Sequence, residues 1–222
     1  MVRAVFFDVY GTLVDLGPLA DACDPLLPGR GAELATQWRT RQLEMTWLRT
    51  IMDSWADFDQ VTADALAMAV DELGAAPARE RLAAVEGAFR ALPARDGVAP
   101  ALDALRAAGL RLGVLSNGSR PMLAATLMAA DLGAAFDDVL SADAVERYKP
   151  DAAIYGLAAA VTGLPEDRIG FVTANGWDAA GACAFGFRVA WLQPDPTAVI
   201  PPVGAPNPIV ATWTDVPTIF TT

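Results

Sequence analysis

The chain has no histidine, which limits both the metal sites and the acid–base chemistry that it can support. Its two cysteines, Cys23 and Cys183, are far apart in the sequence and match no metal-binding spacing. A zinc site of the usual histidine and cysteine type is therefore excluded. Proton transfer at neutral pH must instead be carried out by carboxylates, lysine, tyrosine or water. We expect both cysteines to be reduced, as in a cytoplasmic protein.

Long apolar segments and positive charge are also scarce. No segment approaches the roughly 20 consecutive apolar residues of a membrane helix, and the first residues do not resemble a secretion signal. We therefore expect no membrane partner and a cytoplasmic location. The net charge of −11 argues against nucleic acid as a partner, because that binding depends on Lys and Arg. An anionic substrate would need a local positive site.

The chain has 222 residues, of which 54% are apolar. Its N-terminal part contains two regions that differ in the spacing of their apolar residues. An apolar run at 3–9 predicts a first strand. Residues 18–92 are rich in Ala, Leu, Glu and Arg at helical spacing, and we predict helices at 32–50, 61–74 and 77–91. An all-helical segment thus follows the first strand directly.

Strands and helices alternate from residue 98 onward. The predicted elements are strands at 110–115, 136–141, 168–173 and 187–192, and helices at 98–108, 119–130, 151–162 and 176–185. Such alternation predicts a parallel sheet with right-handed crossovers. Six prolines lie in 194–208, which is predicted to be an extended surface segment.

The predicted fold class is α/β, with a Rossmann-like parallel sheet core, helices on both faces and an inserted all-helical cap domain. We expect the core domain to comprise 1–14 and 95–222, and the cap to comprise 15–94. Because the cap enters immediately after the first strand, it would lie above the strand ends as a lid over a small site.

Four separate segments of the chain each bring a reactive side chain to the end of a predicted strand or to a loop. These side chains are Asp8, Ser116, Lys149 and Asp178. Ligands of parallel α/β sheets bind outside the carboxyl ends of the strands. A carboxylate, a hydroxyl, an ammonium group and a second carboxylate at one edge have the composition of an active site.

Each of these residues also has a simpler interpretation when it is taken alone. Asp8 could cap the turn at 11–12, and Ser116 could cap the helix that follows it. Lys149 could be a solvated surface charge, and Asp178 could favour the N-terminal end of its helix. Taken together, Lys149 becomes the counter-ion that keeps the buried Asp8 ionised.

The predicted helix 32–50 carries three candidate arginines for binding an anion. Arg39 shares a partly apolar face with Leu43, four residues further on. Arg41 and Arg49 have equally suitable spacing, and the pattern of residues does not choose between the three.

The segments 8–12 (DVYGT), 115–119 (LSNGS), 148–151 (YKPD) and 175–178 (NGWD) resemble the four motifs of the haloacid dehalogenase superfamily, in the same order and with similar spacing. The resemblance extends over nearly the whole chain. Because this superfamily also contains many phosphatases, membership alone does not define the reaction.

The closer resemblance is to the L-2-haloacid dehalogenases. In the phosphatases, Asp stands at the positions of Tyr10, where it is the acid–base, and of Ala174, and a magnesium phosphatase needs both carboxylates. Their replacement here predicts that the protein uses no metal and no other cofactor. Thr173 departs from the Ser that is usual in the family, so a hydroxyl is kept and a methyl group is added.

The resemblance also implies a role for individual residues. The catalytic residues that it implies are Asp8, Lys149, Asp178, Asn175, Thr12 and Thr173. The residues that it implies for binding substrate or halide are Arg39, Ser116, Asn117, Tyr10, Leu43, Phe58, Tyr155 and Trp177. Within the second group, Arg39 and Asn117 would stabilise the departing halide, and Ser116 would hold the substrate carboxylate.

The activity implied by the resemblance is hydrolytic dehalogenation of short (S)-2-haloalkanoic acids to (R)-2-hydroxy acids through a covalent ester on Asp8. The partners implied are a small haloacid and a second copy of the chain in a homodimer. Two alternatives are a Mg²⁺-dependent phosphatase of the same superfamily and a non-catalytic relative that binds a small anion.

Overall fold

The computed structural model describes residues 1–76, 79–193 and 209–222. Its strands are β1 Ala4–Phe7, β2 Arg111–Ser116, β3 Asp138–Ser141, β4 Ile169–Thr173, β5 Arg188–Leu192 and β6 Ile209–Ala211. Its helices are α1 Leu19–Cys23, α2 Gly31–Ile51, α3 Phe58–Glu72, α4 Arg79–Ala88, α5 Val98–Ala107, α6 Arg120–Ala129, α7 Ala152–Thr162, α8 Gly176–Phe185 and α9 Val216–Thr221.

The strands of the described residues form one sheet in the order β3-β2-β1-β4-β5-β6, and every pair of neighbouring strands is parallel. The predicted fold class, a parallel α/β sheet with helices packed against it, is confirmed. All residues of β1 and β4 are buried, as is typical of parallel strands covered by helices. The strand order reverses at β1, so the residue that follows β1 lies where such sheets bind ligands.

Close packing of the sheet depends on a glycine in β2. A Cβ atom added to Gly113 would lie 2.3 Å from a ring carbon of Phe6 in the neighbouring β1. The ring of Phe6 therefore occupies the volume that any side chain at position 113 would need. Phe6 lies two residues before Asp8 in the sequence.

Helices α1 to α4 are inserted between β1 and α5. The two connections between this helical segment and the sheet are hydrogen-bonded to each other. The N–H of Asp15 donates to the carbonyl of Pro93 (2.9 Å), and the N–H of Arg95 donates to the carbonyl of Leu13 (2.9 Å). Buried apolar side chains continue without a break from the sheet into α2 and α3. Among the described residues, no helix has the length and apolar character needed to cross a membrane.

Several predicted boundaries differ from the observed ones. Helix α3 begins at Phe58 and not at 61, because the Asp57 carboxylate accepts the N–H of Gln60 and starts the helix earlier. Helix α4 ends at Ala88, three residues before the predicted end at 91. The predicted start of α4 at 77 and the proline-rich segment 194–208 lie outside the described residues.

Candidate active site

The carboxyl edge of the sheet brings together the four reactive side chains that the sequence indicates. Asp8 follows β1, and Ser116 is the last residue of β2. Lys149 lies in the loop before α7, and Asp178 lies in the first turn of α8. Three of the elements that deliver them, β2, β1 and β4, are neighbours at the centre of the sheet.

The Asp8 carboxylate is held by three side-chain donors and is only 6% exposed. Its Oδ2 accepts hydrogen bonds from Thr12 Oγ1 (2.8 Å) and Asn175 Nδ2 (2.8 Å). Its Oδ1 accepts one from Lys149 Nζ (3.1 Å). Because these donors are side chains and include an ammonium group, the arrangement differs from the backbone cap considered above.

Lys149 is fully buried, so it is not a surface charge. Its Nζ donates to Asp178 Oδ2 (2.8 Å) as well as to Asp8, and it lies 4.8 Å from the centre of the Phe171 ring. Asn117 fixes the backbone of this residue, since its Oδ1 accepts the Lys149 N–H (2.8 Å). One ammonium group therefore joins the two carboxylates of the site.

Burial raises the pKa of Asp178 to about 6. The charge of Lys149 opposes this rise, and the charge of Asp8 adds to it. The hydroxyl of Tyr155 donates to Asp178 Oδ1 (2.6 Å). The resemblance placed Tyr155 in the substrate-binding group, whereas here it supports the Asp178 carboxylate. Its ring packs against those of Phe171, Phe185 and Phe187.

Two threonines fix the loop between β4 and α8. Thr173 Oγ1 accepts the N–H of Asn175 (3.1 Å), and Thr12 Oγ1 accepts the N–H of Ala174 (2.9 Å). The Asn175 side chain donates to the carbonyl of Tyr10 (3.2 Å) in addition to Asp8. The amide of Asn175 is thereby held against the Asp8 carboxylate.

Ser116, at the end of β2, and Asn117, which follows it, precede α6 without capping that helix. The cap is Ser119, whose Oγ accepts the N–H of Met122 (3.2 Å). Ser116 Oγ accepts the N–H of Gly118 (3.1 Å) and is completely buried. The simpler interpretation of Ser116 as a helix cap is therefore wrong, and its hydroxyl proton is available to another acceptor.

Of the three candidate arginines on α2, Arg39 is the one that faces the site. Burial lowers the pKa of its guanidinium, and the charges of Asp8 and Asp178 oppose that effect. Arg41 instead pairs with Glu44 and with Glu72 (2.9 Å).

Arg49 is also paired away from the site, with Asp64 at 3.5 Å. These pairings leave Arg39 as the arginine of α2 that can serve an anion at Asp8.

The predicted apolar residues come from both the core and the helical segment. The rings of Tyr10 and Phe58 have centres 5.7 Å apart, and Trp177 meets Trp47 edge to face at 5.7 Å. Leu43 is half-buried on α2. Burial raises the pKa of Tyr10 to about 12, so this residue is a poor proton donor or acceptor at neutral pH.

The side chains at the site do not suit a magnesium ion. Within the described residues, no group of three or more His, Cys, Asp or Glu side chains is placed to hold a metal. Tyr10 and Ala174 supply no carboxylate, and the Lys149 ammonium already lies between Asp8 and Asp178.

The sequence analysis missed two residues next to Arg39. Gln42 is completely buried and its Oε1 accepts a hydrogen bond from Arg39 Nη1 (2.6 Å). Thr62 on α3 is 3% exposed and accepts a hydrogen bond from Gln42 Nε2 (2.6 Å). The available signal was an amide three residues after Arg39, which lies on the same helical face.

Comparison with known proteins identifies the family. The model of the haloacid dehalogenase-like hydrolase family matches residues 2–186. The (S)-2-haloacid dehalogenase of Pseudomonas sp. (strain YL) is 41% identical over 192 residues, which cover 86% of this chain and 83% of that relative.

Solved structures agree with this match. That of the L-2-haloacid dehalogenase from Xanthobacter autotrophicus has a TM-score of 0.90 and 36% identity, covering 99% of this chain and 98% of that one. A second structure of that enzyme, with chloropropionic acid covalently bound, has a TM-score of 0.90 and 35% identity, with the same coverage of both chains. The resemblance seen in the four motifs is thus confirmed, and the chain belongs to the haloacid dehalogenase-like hydrolases.

Proposed function

We propose that this protein hydrolyses short (S)-2-haloalkanoic acids to (R)-2-hydroxy acids and halide, through an ester on Asp8 and without a metal ion. The observation that carries the proposal is the Asp8 carboxylate, which is buried and joined through Lys149 to a second carboxylate. The similarity to (S)-2-haloacid dehalogenases along most of the chain supports the same reaction.

In the first step, an Asp8 oxygen attacks C2 of the substrate from the side opposite the halogen. The new C–O bond forms as the C–halogen bond breaks, and halide leaves with the electron pair, so the configuration at C2 inverts. Lys149 offsets the repulsion between the Asp8 carboxylate and the anionic substrate.

In the second step, water attacks the carbonyl carbon of the Asp8 ester. Asp178 accepts a proton from that water, and Asn175 helps to orient it. The bond between the Asp8 carbonyl carbon and the ester oxygen breaks, the proton held by Asp178 passes to the departing alkoxide oxygen, and the hydroxy acid leaves with the original Asp8 oxygen. Asp8 keeps the oxygen from water and releases that water's second proton to solvent as it returns to the carboxylate. Splitting a difficult displacement into two easier steps is the usual advantage of covalent catalysis.

The other site residues stabilise charge and enclose the alkyl group. Arg39 and the amide of Asn117 stabilise the developing halide, because donors aimed at a forming charge lower the barrier. Ser116 holds the substrate carboxylate with its free hydroxyl proton. The apolar side chains that surround the alkyl group are Tyr10, Leu43, Phe58 and Trp177.

The helical segment acts as a cap domain. We propose that 15–94 form this cap over a core of 1–14 and 95–222, since backbone pairing at 13–15 and 93–95 joins the two connections. The cap contributes Arg39, and the core contributes Asp8. Closure of such a cap would exclude water during the first step.

The protein is further proposed to be a cytoplasmic homodimer. Its two cysteines are free, which suits a reducing compartment. Near the end of α2, Leu48, Ile51 and Met52 are 53%, 80% and 62% exposed and lie close together in sequence. An exposed apolar patch of this kind is typical of a surface that binds another protein, here a second copy of the chain.

The decisive test is halide release from (S)-2-chloropropionate by the purified protein in excess EDTA. We expect release from the (S) substrate alone, and none with Asp8→Asn. A single turnover in ¹⁸O-labelled water should leave label in Asp8. Absence of halide from both enantiomers would refute the proposal, and a screen of phosphate esters with Mg²⁺ would then test the phosphatase alternative.

A further inference from the structure

We propose that Gln42 and Thr62 are positioning residues that hold Arg39 against the leaving halide while leaving its charge intact. This inference rests on the proposed function, in which Arg39 stabilises that halide. Neither residue has to touch the substrate for this role. Both act through three consecutive hydrogen bonds, of which the first lies within α2, the second joins α2 to α3 and the third lies within α3.

The chain of hydrogen bonds runs in one direction only. Thr62 Oγ1 donates its single proton to the carbonyl of Phe58 (2.5 Å). It can therefore only accept from Gln42, so the NH₂ end of the amide must face Thr62 (2.6 Å). The oxygen of the amide is left to accept from Arg39 Nη1 (2.6 Å).

The opposite orientation of the amide is strongly disfavoured. It would bring the NH₂ group of Gln42 against a guanidinium N–H, two donors with no acceptor between them. Because Gln42 is completely buried, water cannot relieve this conflict from outside. The hydroxyl of Thr62 therefore determines which end of the amide meets Arg39.

The acceptor offered to Arg39 is neutral, and this affects its charge. Arg41, on the same helix, is paired with the carboxylates of Glu44 and Glu72, which balance its charge. Arg39 is held by an amide oxygen, and no carboxylate lies within ion-pair distance of it among the described residues. A neutral acceptor thus orients the guanidinium and keeps its positive charge for an incoming anion.

Thr62, the residue that orients the Gln42 amide, is held in place by contacts between α2 and α3. The indole N–H of Trp38 donates to the carbonyl of Thr62 (2.8 Å), and both side chains are buried. Thr62 is thus held from two sides, by Trp38 of α2 and by Phe58 of its own helix. The position of Arg39 therefore depends on α3, although Arg39 itself lies on α2.

The test compares Thr62→Val, which keeps the shape but removes the hydroxyl, with Thr62→Ser, which keeps the hydroxyl. Rates of halide release are measured in single turnovers with (S)-2-chloropropionate and (S)-2-bromopropionate. We expect Thr62→Val to slow chloride release by about 10- to 100-fold, as is typical of a displaced catalytic group, and Thr62→Ser to restore most of the rate. Bromide should be affected less, because it leaves more easily and needs less stabilisation.

A matched control is Thr36→Val. Thr36 also donates to the carbonyl four residues before it, but it is exposed on α2 and takes no part in the hydrogen bonds that join Arg39, Gln42 and Thr62. This variant should behave like the wild type. A second test is Gln42→Glu, which should lower the rate with chloride by about 100-fold or more, because its carboxylate would neutralise Arg39.

Two outcomes would overturn the inference. Equal slowing of chloride and bromide release by Thr62→Val, with a lowered melting temperature, would show a purely structural role and overturn the inference. Wild-type rates for both Thr62→Val and Gln42→Glu would overturn it as well. In either case the proposed function stands as long as the wild type releases halide and Asp8→Asn does not.

Discussion

At the scale of single residues, the site depends on the choice of lysine at position 149. Lys149 is the only lysine in the chain, in which every other basic side chain is arginine. An ammonium group is compact enough to donate to Asp8 (3.1 Å) and Asp178 (2.8 Å) at once. A planar guanidinium would need more room and a different geometry. Substitution by arginine would therefore not be conservative here.

The pH dependence of ester hydrolysis follows from Asp178. Its pKa of about 6 lies above the ordinary value for Asp because of burial, so the carboxylate takes up a proton as the pH falls through that value. A protonated Asp178 cannot accept a proton from water. The rate of ester hydrolysis should therefore fall on the acid side, with its midpoint below the pKa of the free site, because the esterified Asp8 no longer adds its charge to the causes that raise the pKa of Asp178.

Tyr155→Phe tests whether the fall in rate at low pH is due to protonation of Asp178. The hydroxyl of Tyr155 lowers the pKa of Asp178 by donating to it. Its removal should move the midpoint upward, while the ring packing is retained. The measurement is the pH profile of single-turnover ester hydrolysis for the wild type and the variant. An unchanged midpoint would show that Asp178 is not the titrating group.

Asp8, Lys149 and Asp178 could be selected from the sequence because each lies at or shortly after the end of a predicted strand or in a loop, and because Lys149 offers the counter-ion that a buried Asp8 needs. Arg39 could not be selected from spacing alone. Its distinction from Arg41 depends on Glu72, 31 residues away on α3, which occupies Arg41. Long-range pairing of this kind is set by tertiary packing, and the residue pattern of one helix does not contain it.

At the scale of elements, the stability of the sheet depends on the close approach of β1 and β2. Gly113→Ala would place a Cβ 2.3 Å from a ring carbon of Phe6 and force one of the two strands to move. We expect a loss of about 1–3 kcal/mol in the free energy of unfolding, as is typical of overpacking. Chemical denaturation of the purified variant measures this change.

Gly87→Ala on α4 is the matched control. An added Cβ there meets no atom within 4 Å, and the backbone does not have a positive φ. Alanine is a better helix former than glycine, so stability should rise by up to about 1 kcal/mol. Equal destabilisation by both changes would contradict the packing explanation for Gly113.

Elements with a clear repeating pattern were predicted close to their observed bounds, and two short elements were missed. The helix 176–185 was predicted at its observed bounds, and the strand 168–173 begins one residue early. Helix α1, with five residues, and strand β6, with three, were missed. So few residues carry too little of a repeating pattern to be recognised, and their formation depends on contacts with the rest of the fold.

At the scale of the whole molecule, the proposed homodimer can be tested through the exposed end of α2. Ile51→Glu would put a charge in the middle of the apolar patch, and we expect it to convert a dimer into a monomer in sedimentation velocity. Met128→Glu on α6 is the control, since Met128 is 74% exposed at a different place in the fold. A dimer that survives Ile51→Glu would place the interface elsewhere.

The link between the two carboxylates through Lys149 also sets the order of events in a catalytic cycle. The charge of Asp8 is one of the causes that raise the pKa of Asp178. An ester has no charge, so the first half-reaction removes that cause and leaves Asp178 more fully ionised when water must be activated. Once the product is released and Asp8 recovers its charge, Asp178 returns to its resting state. The formation of the ester therefore ionises the base before water attacks, and the release of product returns the base to its resting state.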